Sequence, residues 1–181
     1  MDRLLVVCTA NLVRSPVAEA AVKAWCLRED RSDLEVSSGG VEAVAGLAVP
    51  AALIQAIRPY FLDLHAHRSR RVTRDDVAAA TLALTMTETQ RETLQALLPG
   101  ATPRIFTLRE FARLTSGVPH PEASAGGLTE LVRSAHRERP RQAAASSPED
   151  IADPYGGSIK QYQACIAEIV WLVDQITGRL S

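Results

Sequence analysis

The stretch Cys8-Thr9-Ala10-Asn11-Leu12-Val13-Arg14-Ser15-Pro16 places a thiol, an arginine six residues later, and a Ser-Pro pair directly behind it. The thiol ends a short apolar run, Leu4-Leu5-Val6-Val7-Cys8, which reads as a strand buried on both faces of a parallel sheet. Behind Ser15-Pro16, apolar residues at Val17, Ala20, Ala21, Ala24 and Trp25 predict a helix, with Ser at its N-cap and Pro at its first position. A loop joining such a strand to such a helix turns successive N–H groups onto one concavity. The helix start adds about half a positive charge, and an arginine can close the site with a two-pronged fork. That is a cradle for an oxyanion such as phosphate. The same field stabilises a thiolate at Cys8, a nucleophile suited to attack on phosphorus. Cys and Arg at this spacing say little alone in an arginine-rich chain; the Ser-Pro pair and the strand-loop-helix setting make the pattern specific. The plain alternative is a small buried hydrophobe that ends a strand.

The elements needed to hold this loop follow in order. Further strands are expected at Leu34 to Ser37, at Thr81 to Met86 and at Arg104 to Leu108. Helices are expected over Pro50 to Ile57, Thr87 to about Leu97, and Ile159 to about Ile176. Alternating strands and helices predict a parallel α/β sheet. Thr115 to Pro148 breaks the rhythm: it is rich in Ala, Ser, Gly, Pro and Arg, with helical spacing only from Leu128 to about Glu138. It is read as an insertion or mobile flap in an otherwise single domain spanning 1–181.

Bulk properties exclude several classes. A chain of 181 residues buries roughly 70% of its unfolded surface, enough to dispense with disulfides or a structural metal. Twenty basic against 21 acidic side chains leave a net charge of −1, too little for a global field that would hold nucleic acid or a membrane. The basic run Arg68, Arg70, Arg71 and Arg74 has no interleaved aromatics to stack on bases and reads as a solvated face. Cys8, Cys26 and Cys165 are odd in number and far apart, which points to a reducing cytoplasm. No apolar stretch nears the ~18 residues of a membrane span. His65 and His67 lack the further ligands a metal would need, so neither metal nor cofactor is expected. Cys26, Cys165, Trp25 and Trp171 are read as packing residues.

The Cys8–Pro16 string resembles the phosphate-binding loop of the low-molecular-weight protein tyrosine phosphatases. Val36-Ser37-Ser38-Gly39 is similar to that family's Ser-Gly turn, and His65-Ala66-His67-Arg68-Ser69-Arg70-Arg71 is similar to its His-containing segment. Asp153-Pro154-Tyr155 is similar to the motif that supplies its general acid. The resemblance spans nearly the whole chain apart from 115–148. It implies a three-layer sandwich with a four-stranded parallel sheet, helices on both faces and a site at the strand carboxyl ends. It also implies hydrolysis of phosphotyrosine on a protein substrate through a cysteinyl-phosphate, with inorganic phosphate as product. Cys8 would be the nucleophile, Arg14 the anion clamp, and Asp153 the proton donor that a poor phenolate leaving group requires. Thr9, Ala10, Asn11, Leu12 and Val13 would line the cradle, with Val44 and Tyr155 as walls. Ser15, Ser38 and His67 would hold the loop, and Asn11 suits a left-handed position.

Departures from the family pattern bear on specificity. Ala10 stands where Gly is frequent, and Val13 stands where a second loop cysteine is frequent. Leu12 is taken as an apolar residue at the mouth of the pocket that favours an aryl phosphate. A phosphoarginine phosphatase uses the same loop chemistry and is the nearest rival. An arsenate reductase would need further redox cysteines, and a non-catalytic phosphoprotein-binding module would not need nucleophile, clamp and acid together.

Overall fold

A computed structural model describes residues 1–117, 127–142 and 149–180, apart from the side chain of Gln142. β1 (Asp2–Cys8) leads through the Cys8–Arg14 loop into α1 (Arg14–Arg28), followed by β2 (Leu34–Gly40), α2 (Ala51–Ile57) and α3 (Arg74–Ala79). Then come β3 (Leu82–Thr85), α4 (Glu88–Leu97), β4 (Ile105–Thr107), α5 (Leu108–Thr115), α6 (Gly127–Gln142) and α7 (Ile159–Thr177). The four strands form one parallel sheet in the order β2-β1-β3-β4. The expected fold class is therefore the observed one.

Side-chain alternation along β1 divides the interior into two cores. Leu4, Val6 and Cys8 face one core with Val17 and Val22 of α1, Phe111 of α5 and Ile166, Ile169 and Val173 of α7. Leu5 and Val7 face the other, with Val77 of α3 and Leu94 of α4. Successive strand residues point to opposite faces, so a strand buried on both sides must be apolar throughout, as Leu4 to Cys8 is. The chain leaves β1 for β2 on one side and returns to β3 on the other, so the β1 carboxyl end is a topological switch point, the usual ligand crevice of such sheets.

Three expectations need correction. The fourth strand stops at Thr107, because a reciprocal cap starts α5: Thr107 Oγ1 accepts from Glu110 N at 3.0 Å, and the Glu110 carboxylate accepts from Thr107 N at 3.3 Å. Trp171 is 60% exposed and packs no core, whereas Trp25 is buried. Within the 115–148 stretch, residues 127–142 are no flap but α6, whose Leu128, Leu131, Val132 and Ala135 are buried in the same core as α1 and α7. Spacing of i, i+3, i+4 and i+7 makes that stripe, and burial of it fixes the helix. The rest of the proposed flap, 118–126 and 143–148, lies outside the described residues. Leu131→Ala is accordingly expected to cost about 2–5 kcal/mol in a denaturant titration; a cost near zero would restore the flap reading.

Candidate active site

Cys8 sits at the end of β1 and is buried. Its Sγ lies 3.0 Å from Ser15 Oγ and accepts from Asn11 N at 3.3 Å. Neither neighbour is a base, and both can donate a hydrogen bond to the sulfur. Ser15 corrects a local expectation. α1 begins at Arg14 with Val13 in the cap position and no side chain capping it, and the Ser15 hydroxyl turns instead toward the sulfur and the Gly39 carbonyl, 3.3 Å away. The first-turn N–H groups of α1 have no helical carbonyl to bond, as at any helix start, and here they meet the loop that follows the thiol.

Asn11 organises that loop. It is fully buried with φ of 54°, a left-handed turn that Asn tolerates better than most residues. Its amide nitrogen donates to Ser15 Oγ at 3.0 Å and to Ser38 Oγ at 2.8 Å, while its side-chain oxygen accepts from Arg70 N at 3.0 Å. Its backbone carbonyl lies 2.9 Å from His67 Nε2, and since a carbonyl can only accept, His67 carries its proton on Nε2. The Ser38 hydroxyl in turn donates to Glu19 Oε2 at 2.5 Å. The loop presses so closely on β2 that a Cβ on Gly40 would fall 2.5 Å from the Thr9 carbonyl oxygen and 2.9 Å from Asn11 N, so only glycine fits there.

Arg14, though charged, is almost wholly buried. Nη1 donates to the Ile151 carbonyl at 3.0 Å, and Nη2 is shared between Thr9 Oγ1 at 3.4 Å and the Asp153 carboxylate. Nε has no partner among the described residues. One edge of the guanidinium is thus anchored, while the Nε–Nη2 edge has a donor to spare. Asp153 is half exposed, and its other oxygen accepts from Tyr155 N at 3.1 Å, which fixes the turn that carries it.

The structure thus brings Cys8, Thr9, Asn11, Arg14, Ser15, Ser38, His67 and Asp153 together. Leu12 does not stand at the pocket mouth: its side chain and that of Val13 are buried in the first core, so neither side chain can line a wall and only their backbone faces the loop. Ala10 is half-buried against the same core. Val44 and Tyr155 are 66% and 61% exposed, Tyr155 in the turn that carries Asp153. His65 pairs with Asp63 at 2.7 Å on the surface, away from any ligand set. Sequence reasoning missed Glu19, Gln90 and the Ile151 carbonyl, which join the site through contacts that no spacing rule encodes.

A family model described as low molecular weight phosphotyrosine protein phosphatase matches residues 3–133. A Geobacillus stearothermophilus protein named protein-arginine-phosphatase is 28% identical over 178 residues, 98% of this chain and 95% of that one. A Ralstonia nicotianae protein named probable low molecular weight protein-tyrosine-phosphatase EpsP is 29% identical over 117 residues, 65% of this chain and 77% of the relative. The crystal structure of a low molecular weight protein tyrosine phosphatase from T. tengcongensis superposes with a TM-score of 0.75, covering 99% of this chain and 100% of that one at 24% identity, a likeness of fold.

Proposed function

Because the chain belongs to the low molecular weight phosphotyrosine protein phosphatase family, we propose that it hydrolyses phosphotyrosine on protein substrates with Cys8, Arg14 and Asp153 as its working residues. The observation that carries this reading is the half-committed guanidinium of Arg14, anchored on Ile151 with Nε unpartnered and Nη2 held by Asp153. A phosphoryl group entering the loop would take the Nε–Nη2 edge as a bidentate partner. That exchange would free Asp153 to face the leaving oxygen. Cys8 Sγ, as the thiolate, then attacks phosphorus, the P–O bond to the aryl group breaks, and Asp153, in its protonated form once released from Arg14, gives its proton to the departing phenolate. Water next attacks phosphorus, Asp153 takes the water's proton, the S–P bond breaks, and inorganic phosphate leaves. Tyr155, exposed at the rim, offers an aromatic face to the substrate ring, a contact worth about 0.5–1.5 kcal/mol.

One finding favours a second reading, phosphoarginine: the similarity to the protein named protein-arginine-phosphatase covers 98% of this chain. An arsenate reductase gains no such support. Burial pushes the Cys165 thiol up to about 12 and raises that of Cys26 as well, so neither is a ready thiolate for exchange. The widely spaced free thiols suit a reducing cytoplasm, and among the described residues no helix is long and apolar enough to cross a membrane. The deciding experiment compares a phosphotyrosine peptide, a phosphoarginine peptide and arsenate side by side. Phosphotyrosine should give the highest kcat/KM; preference for phosphoarginine would move the chain to the second reading, and turnover of neither phosphopeptide would overturn both.

A further inference from the structure

Gln90 closes a ring of hydrogen bonds that joins the two halves of the site. It is buried at 4% exposure on α4, in the first turn after the end of β3. Its Oε1 accepts from Met86 N at 2.9 Å; a backbone N–H can only donate, so the amide orientation is fixed and Nε2 faces Thr9 Oγ1, 3.0 Å away. Thr9 Oγ1 also accepts from Arg14 Nη2 at 3.4 Å, and Arg14 Nη1 donates to the Ile151 carbonyl at 3.0 Å. Ile151 N donates to the Met86 carbonyl at 2.8 Å, which returns the path to the residue that Gln90 holds. Five residues, Gln90, Thr9, Arg14, Ile151 and Met86, thus tie the anion loop to the segment that carries Asp153 two residues further on.

Resting on the reading above, we propose that Gln90 is a positioning residue for proton donation: it holds the Ile151–Asp153 segment and the Arg14 fork in one register. It touches no reacting atom. It acts through Thr9 and Met86, and no other side chain in this ring spans both. Without Gln90, Arg14 Nη1 and the Met86 carbonyl still hold Ile151, but the tie from Thr9 to Met86 is lost and with it the second constraint on the distance between acid and cradle; misplacement of about 1 Å at a reacting centre costs up to roughly 10²-fold in rate. The cost falls on the step that needs the proton, so it should depend on the leaving group.

Two variants test this in the full chain. Gln90→Met, of similar volume, removes both bonds, and Gln90→Glu keeps an acceptor for Met86 N while withdrawing the donor to Thr9. Expected for Gln90→Met is a kcat on phenyl phosphate lowered roughly 10–10²-fold, a much smaller loss on an aryl phosphate with a strongly activated leaving group, and a nearly unchanged KM. Gln90→Glu should recover part of the loss. A readout independent of turnover is hydrogen exchange at the Ile151 amide, which should quicken in Gln90→Met. Equal losses across leaving groups, or Ile151 exchange unchanged from the parent protein, would overturn the proposal. A parent protein inactive on every aryl phosphate would instead overturn the phosphatase reading, and the Ile151 exchange would still decide whether Gln90 holds that segment.

Discussion

Cys8→Ser should yield a folded protein that binds inorganic phosphate and turns over no aryl phosphate. Among the described residues the sulfur's polar partners are Ser15 Oγ and Asn11 N; both can donate to an anion, and neither is a base for a hydroxyl. A serine there would have no base to activate it, so loss of the nucleophile should cost at least about 10⁴-fold in kcat, of the order seen when activated nucleophiles are removed from other hydrolases. Binding depends on other groups, the Arg14 edge and the start of α1, and should survive. The measurement pairs steady-state turnover with calorimetric titration of phosphate, and a melting curve guards against misfolding. Residual turnover within about tenfold of the parent would remove Cys8 from the mechanism. A Ser variant that melts normally but no longer binds phosphate would mean that the anion sits elsewhere.

Asp153→Ala should separate leaving groups by their need for a proton. With phenyl phosphate kcat should fall on the order of 10²–10⁴-fold, or about 3–5 kcal/mol of barrier. With a strongly activated aryl ester the loss should be far smaller, because that phenolate departs without help. The structure adds a second expectation. Asp153 occupies Arg14 Nη2, so removing the carboxylate removes a competitor of the incoming anion, and phosphate should bind as tightly as before or more so. Asp153→Asn, which keeps an oxygen for Tyr155 N, should reproduce the kinetic defect with less disturbance of the turn. Equal losses for both esters would assign Asp153 to placing Arg14 instead of to proton donation.

The anion loop was legible because everything that defines it is contiguous. Cys8, Arg14 and the strand and helix around them lie within one strand-loop-helix unit, so spacing and local propensity suffice. The two-sided burial of β1 was legible for the same reason, since a run without alternation leaves no polar face for water. Asp153 was reached through resemblance alone, because it lies 139 positions from Arg14 and nothing local distinguishes an acid from any turn-opening Asp. At 127–142 the spacing showed a helix, but a composition rich in Ala, Ser and Arg gave no sign that its four apolar residues belong to the core.

By itself the sequence determined the four strands, the parallel sheet and the helices that follow β1, β2 and β3 and end the chain, all of which follow from short-range pattern and backbone geometry. Tertiary structure alone decided which way each loop residue turns. Leu12 went into the core because apolar burial there outweighs exposure at a mouth. Ser15 gave up a cap for Cys8 and Asn11, since a buried hydroxyl must take whatever partners surround it. Gln90 and the Ile151 carbonyl entered the site because parallel strands set far-apart segments side by side at their carboxyl ends, a proximity fixed by packing between elements and invisible to any count of residues along the chain.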